Sequence, residues 1–547
     1  MNYHFDGKTG SFIMKDYETG KSWDNHIWNK KQFLTTVNQF GQSTTRLVTE
    51  NAEIVFLGGG NGCYLRDDDS KDYWNIGFAP SCKAVEDYQC EHGLSFTEVS
   101  SRRGGIFASH AFSVAEEELE ELWKLTLKNE SDSIRHISVF AACYFNLNGF
   151  VQNRYYQAGN TGWTEFIPGI NGMFCRQKSP FMPVDRFSGY MLSSEPTDLH
   201  LGRMEHFTGT AGNLSVPRLL EEGRDLPGTD AAVRARCGML QNKLTLAPGQ
   251  EKTLYYAMGF TSSDPADLAA AKDRLMNNAV TFFDRRYERG LAEYGALRCH
   301  TPNERINNIM NFWVQKQVSY CMIGKKAVRD NAQIALGMLN YNASLAKRNL
   351  TECLANQAFD GHALLTWSPF GRETDIYSDP SAWLSLAVCE YIKESGDLAF
   401  LDEHIPFLDG EDGTVYEHLK KAAEWFMRAD NYGPHGLPRI HHADWNDALN
   451  IPDDRAESVF MAALVCLTLQ EIAALSGHIG EEEAYVKSLL SFRKKVADTT
   501  NEHAFNGDYY VRALSKFGVV GDRSSTNGGS IYSNPQVWAI LADIVPK

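Results

Sequence analysis

The stretch His441-His442-Ala443-Asp444-Trp445-Asn446-Asp447-Ala448-Leu449-Asn450 sets two carboxylates around one tryptophan. It follows the turn-rich Gly433-Pro434-His435-Gly436-Leu437-Pro438. These residue types suit glycoside chemistry, because one carboxyl group must protonate a leaving oxygen while a flat ring stacks on the sugar. Asp and Asn are also the usual turn and cap formers, so composition alone leaves a plain loop open. A second cluster is Arg329-Asp330-Asn331-Ala332-Gln333 at the opening of a helix. The planar donor fork of Arg beside the paired acceptors of Asp can hold vicinal hydroxyls. The alternative is a local ion pair with Asp330 as N-cap. Neither cluster has the spacing of a metal site, since the adjacent His441 and His442 diverge in any regular element. The 11 cysteines include no Cys-x-x-Cys pair and read as reduced thiols. The run Gly58-Gly59-Gly60-Asn61-Gly62 opens no helix and is expected to be a turn, not a phosphate cradle.

The elements that must position these residues change character along the chain. To about residue 262 the signals are alternating strands, and two antiparallel hairpins are expected. One pairs Leu122–Lys128 with His136–Val139 through Asn129-Glu130-Ser131-Asp132; the other pairs Lys243–Leu246 with Thr253–Tyr256. Residues 1–262 are therefore expected to form a large β-sandwich. Ser263-Asp264-Pro265 then opens a helical linker over 263–300 that carries Leu268, Leu275 and Phe282. From 301 to 547 about eight helices are expected, several of them apolar almost all round, such as that containing Val459–Leu467.

A chain of 547 residues is too long for one core, so two large domains are expected. The formal net charge of -16 argues against a nucleic-acid partner, which needs a basic surface. The start lacks a basic segment with an apolar run behind it, and no stretch near 18 apolar residues is evident, so a cytoplasmic protein without a membrane partner is expected. The 12% aromatic share permits sugar stacking without requiring it.

Taken in order, the motifs resemble glycoside hydrolase family 94, the cellobiose and chitobiose phosphorylases. The resemblance rests on Gly433–Pro438, Ala443–Asn450 and Ala456-Glu457-Ser458-Val459-Phe460. It is supported by Phe5-Asp6, Lys124–Asn129, Ser215-Val216-Pro217, Arg329-Asp330 with Gln333, Ser378-Asp379-Pro380 with Trp383, and Asn534-Pro535-Gln536 with Trp538. It implies a multidomain β + α architecture: an N-terminal β-sandwich, a helical linker and an (α/α)6-barrel catalytic domain. It further implies an inverting phosphorylase that cleaves a β-linked, cellobiose-like disaccharide. Asp447 would be the catalytic acid, with Arg329, Asp330, Gln333, Trp445 and Asn446 binding the sugar. No cofactor is implied, since inorganic phosphate is co-substrate and nucleophile; a homodimer through the sandwich follows the family habit.

Three departures accompany the resemblance. Twelve barrel helices are the family number against about eight here, so an incomplete barrel, without the family's downstream phosphate-binding His and Thr, is expected. Gly324-Lys325-Lys326-Ala327-Val328 stands where the family places a Gly- and Arg-containing loop, and Lys325 or Lys326 offers a substitute charge. Gln333-Ile334 replaces a family Gln-Asp pair. Two alternatives stay open: an inverting hydrolase using Asp379, Asp330 or Glu457 as base, and a non-catalytic remnant that binds sugar.

Overall fold

A computed structural model describes residues 3–48, 54–147, 161–178, 188–210, 212–232, 237–261, 265–324, 327–368, 371–372, 375–449, 451–525 and 529–546. The chain divides into two compact units, Met1–Gly324 and Lys325–Lys547.

The first unit is built on two antiparallel sheets of 11 and 8 strands among the described residues. The strand Glu120–Asn129 lies inside the larger sheet between Ile106–Val114 and Glu251–Thr261. Arg135–Tyr144 lies inside the smaller one between Cys237–Leu246 and Ile54–Asp67. Alternate residues from each meet in one core: Trp123, Leu125 and Leu127 from the first, Ile137, Val139, Ala141 and Cys143 from the second. That alternation is the period of two that a pleated strand imposes.

Both expected hairpins are corrected by this topology. Glu120–Asn129 and Arg135–Tyr144 are successive in the chain but sit in opposite sheets, and so do Cys237–Leu246 and Glu251–Thr261. The turns between them carry the chain from one layer to the other. Asn129 ties the two crossovers together, its Nδ2 donating to Ser133 O at 2.7 Å and to Leu246 O at 2.9 Å. The strands are also not half-buried. Leu122, on the outer face of the larger sheet, packs with Ala111, Tyr190, Leu192 and Ala257 beneath a helix, and Phe140 and Ala142 on the outer face of the smaller one pack with Phe207, Leu219 and Leu220.

The glycine run is likewise no turn. It lies within the 14-residue strand Ile54–Asp67, where the register with Ser43–Val48 shifts twice. A Cβ on Gly58 would stand 1.7 Å from the carbonyl oxygen of Tyr144, so the glycine serves close backbone approach beside an irregular ladder.

The helix over the larger sheet is Pro265–Asp284, whose Leu268, Ala271, Leu275, Ala279 and Phe283 form the stripe expected of a 3.6-residue period. Each fully buried Leu or Phe in such a stripe stabilises by roughly 1.5–3 kcal/mol. Its expected caps, Ser263 and Asp264, lie outside the described residues. Arg286–Tyr294 follows, and then Glu304–Asn308, capped by Asn303, which continues through a π turn into Val314–Cys321. These helices belong to the first unit.

The second unit contains, among the described residues, seven α-helices: Val328–Met338, Ala343–Leu354, Pro380–Ser395, Val415–Met427, Val459–His478, Glu483–Ala504 and Ser533–Leu541. Counting the interrupted 304–321 segment as one gives the expected eight. Their starts follow local chemistry: Asn342 caps Leu345 N at 3.0 Å, Thr414 and Glu417 form a capping box, and Ser458 caps Met461 N at 3.1 Å. Val459–His478 is the centre of this unit, packing on Pro380–Ser395, Glu483–Ala504 and Ser533–Leu541. This helix corrects the expectation of no long apolar stretch. It is long and apolar enough to cross a membrane, with a mean hydropathy of 1.9, yet 78% of that window is buried within the protein. A hydrophobic helix surrounded by other helices is a core element.

Candidate active site

The segment 439–449 runs between the helices Val415–Met427 and Val459–His478 and is pinned along its backbone. Ile440 N donates to Ala456 O at 2.8 Å, His442 N to Ile376 O at 2.9 Å, and Ser378 N to Ala443 O at 3.0 Å. The adjacent histidines diverge to separate partners: His441 Nε2 lies 3.2 Å from Asn431 Oδ1, and His442 Nδ1 lies 3.1 Å from Asp375. Burial pushes the His441 imidazole down to about 4, so it is neutral near pH 7.

Asp444 is the buried anchor of the loop. It is 0% exposed, and Arg512 Nη2 donates to both of its oxygens at 2.7 Å. Ser458 Oγ donates to Oδ2 at 2.6 Å, and Asn446 N donates to Oδ1 at 2.9 Å. Arg512, itself 1% exposed, immediately precedes the strand Ala513–Ser515, which pairs with Glu457–Ser458 and Gly518–Val520. This small sheet delivers a guanidinium beneath the loop from 68 residues along the chain.

Asp447 is placed differently. Its side chain is 63% exposed, and Arg329 Nη1 donates to Oδ1 at 3.0 Å. Arg329 lies in the first turn of Val328–Met338 and is buried. Its remaining nitrogens face inward: Nε stands 2.8 Å from Asp379 Oδ2, and Nη2 donates to Asp379 Oδ1 and to the Asp444 carbonyl, both at 3.1 Å. Burial opposes the guanidinium charge, but Asp379 and Asp447 more than offset this and raise the Arg329 pKa. Asp379 is fully buried at the start of Pro380–Ser395, and Trp383 Nε1 donates to its Oδ2 at 3.0 Å. Desolvation drives its carboxyl up to about 6 against the pull of Arg329.

Trp445 is 40% exposed, which is high for a tryptophan. Phe460 stacks against it at 5.9 Å and 29°, while Trp383 at 5.1 Å and Trp538 at 6.2 Å meet it edge on. Three aromatic side chains from three helices thus fix the plane of an indole that still faces solvent. Such a face is the kind that stacks on a sugar ring.

The other expected residues divide. Gln333 lies one helical turn beyond Arg329, hence on the same helix face, and its Nε2 is buried without a hydrogen-bond partner. An unmade buried donor costs free energy. Asp330 sits in the same first turn but is not the N-cap, a position taken by Ala327. Asn446 Oδ1 accepts from Ala448 N at 3.1 Å, so its side-chain oxygen shapes the turn before Asp447. Lys325, Lys326 and Asn450 lie outside the described residues. Sequence reasoning missed Arg512, Trp383, Trp538 and Phe460 as parts of the site. It named Asp379 only as a base. The one available signal was the presence of Trp383, Phe460 and Trp538 in the motif stretches.

Glu457 is also accounted for. It is 1% exposed and accepts from His435 N at 2.9 Å, His435 Nδ1 at 2.6 Å and Leu437 N at 3.0 Å, closing the Gly433–Pro438 turn.

Residues 13–277 match the family profile described as the glycosyl hydrolase 94 supersandwich domain, and residues 293–547 match the glycosyl hydrolase 94 superfamily catalytic domain. The chain is 29% identical to a solabiose phosphorylase of Paenibacillus borealis, over 99% of this chain and 72% of that protein. It is 25% identical to an N,N'-diacetylchitobiose phosphorylase of Vibrio proteolyticus, over 100% of this chain and 74% of the other. Among solved structures, a bacterial glucoamylase complexed with acarbose is alike in fold, with a TM-score of 0.50 and 10% identity, covering 92% of this chain and 73% of that one. With its supersandwich and its helical catalytic domain both matched to the same family, the chain belongs to glycoside hydrolase family 94.

Proposed function

We propose that this protein is an inverting glycoside phosphorylase that cleaves a β-linked disaccharide of the cellobiose type with inorganic phosphate. Asp447 is the general acid. Its proton passes to the glycosidic oxygen as that oxygen leaves the anomeric carbon, and a phosphate oxygen forms the new bond from the opposite face. The products are a free sugar and an α-sugar 1-phosphate. Trp445 supplies the stacking face; Arg329, Asp330, Gln333 and Asn446 line the sugar-binding side.

One observation carries this reading: Asp447 is exposed, while Asp444, Asp379 and Glu457 are buried and committed. Asp444 is held by Arg512 and Ser458, Asp379 by Arg329 and Trp383, and Glu457 by the 433–438 turn. An inverting hydrolase needs a second carboxylate roughly 6.5–9.5 Å from the acid to activate water. A phosphorylase does not, because phosphate is already an anionic nucleophile. Asp379 and Glu457, two of the candidate bases, have no free face toward solvent. The relatives, named as phosphorylases of solabiose and of N,N'-diacetylchitobiose, support the same side of the choice.

The stereochemistry tests it. Proton NMR of the first-formed product from a β-glucoside in phosphate buffer is expected to show the α-anomeric signal of a sugar 1-phosphate. A β-sugar 1-phosphate would contradict single displacement.

A further inference from the structure

Arg329 has one guanidinium and two carboxylates competing for it. Asp379 faces two of its nitrogens, Nε at 2.8 Å and Nη2 at 3.1 Å, and is 0% exposed. Asp447 receives Nη1 alone, at 3.0 Å, and is mostly in solvent. The Asp444 carbonyl and the Tyr377 ring, 5.9 Å from the guanidinium carbon, complete the seat of the arginine. This division matters for a general acid, which must begin the reaction carrying its proton. An arginine whose whole charge faced Asp447 would hold that carboxylate in its ionised form.

We propose that Asp379 is a positioning residue that acts through Arg329, turning most of the guanidinium and its charge away from Asp447 so that Asp447 can serve as the acid. This rests on the functional reading above. The charged groups acting on Asp379 are Arg329 on Val328–Met338 and Asp444 on the loop; on its own helix Trp383 is its neutral donor. Asp444 is in turn matched by Arg512, and His442 Nδ1 lies 3.1 Å from Asp375. Arg329 is therefore the one cation in direct contact with Asp379 among the described residues.

The sign of the pH dependence follows. Asp379 is ionised above about 6, where it can occupy Arg329. As pH falls through that value it gains a proton, the counter-charge is lost, Arg329 turns its charge on Asp447, and the rate falls. The native enzyme should thus show an acid limb near pH 6 that belongs to Asp379.

The experiment measures kcat and KM for phosphorolysis of β-linked disaccharides from pH 5 to 8 in native enzyme, Asp379→Asn and Asp379→Glu. The ionisation of phosphate itself is common to all three. Asp379→Asn is expected to lose on the order of 10²-fold in kcat at pH 7.5, the scale of a misplaced catalytic group, with KM changed less than about 3-fold. It should lack the Asp379 limb, and Asp379→Glu should recover the limb, shifted, with part of the rate. A native-like limb in Asp379→Asn, or an unchanged kcat, overturns the proposal. If near-ultraviolet circular dichroism shows that Asp379→Asn does not fold, Asp379→Glu decides: a limb at the native pH overturns the proposal, and a displaced one supports it. Asp447→Asn separates the two levels. Retained phosphorolysis in that variant removes the functional reading itself, whereas an inactive Asp447→Asn beside an unmoved limb in the Asp379 variants removes only the role of Asp379.

Discussion

Asp447→Asn is expected to lower kcat for disaccharide phosphorolysis by about 10³-fold while leaving the fold intact, because general acid catalysis contributes roughly 10²–10⁴. The side chain is 63% exposed and its one ion pair among the described residues is with Arg329, so an amide of the same shape disturbs little packing. The loss should depend on the leaving group. The dinitrophenolate of a dinitrophenyl β-glycoside leaves without a proton, so Asp447→Asn should cleave that substrate in phosphate at close to the native rate. Equal loss on both substrates would mean that Asp447 holds the sugar instead of protonating it. Stopped assays of sugar 1-phosphate on the two substrates, with a thermal melt of the variant, give the comparison.

Arg512→Met carries the second large effect, and here stability and activity fall together. Arg512 and Asp444 are 1% and 0% exposed, and Arg512 Nη2 donates to both oxygens of the carboxylate. Removing one partner of a buried ion pair leaves an uncompensated charge, at a cost of roughly 3–5 kcal/mol. For a unit of this size that corresponds to a drop on the order of 10 °C in the melting transition. The loop loses the anchor that orients Trp445 and Asp447, so kcat should fall as well. Asp444→Asn combined with Arg512→Met removes both charges. It should regain part of the stability without regaining activity, because an electrostatic penalty is relieved while the loop stays unheld. Melts and kinetics of the two single variants and the double variant measure this. Full recovery of rate in the double variant would show that the clamp does not position the loop.

These outcomes also mark where the sequence was legible. Asp444, Trp445 and Asp447 stand together in the chain, and the mixture of turn formers with an aromatic is visible without a structure. Their supports are not adjacent. Arg512 reaches Asp444 across 68 residues, and Trp538 meets Trp445 from a helix near the far end of the chain. No local period encodes such pairings; only the topology brings them together. The same limit explains the strands. Alternation located Glu120–Asn129 and Arg135–Tyr144 correctly, but pairing was misassigned because a short turn between two strands looks alike whether it closes a hairpin or crosses between sheets. Burial of Leu122 and Phe140 on the outer faces further blurs the pattern that distinguishes an exposed face. Gly58 was misread for a related reason: the atom that forbids a side chain there is the Tyr144 carbonyl, on a neighbouring strand. Helix positions were the most legible, since caps such as Ser458 and Thr414 and the interruption at Gly396 act within a few residues.

The most direct test of a phosphorylase built around one exposed acid is release of sugar 1-phosphate from β-linked glucose and N-acetylglucosamine disaccharides, followed by phosphorus NMR with and without inorganic phosphate. Strictly phosphate-dependent formation of an α-sugar 1-phosphate is the predicted result. Release of free sugars alone, at the same rate in phosphate-free buffer, would contradict it and require a water-activating base.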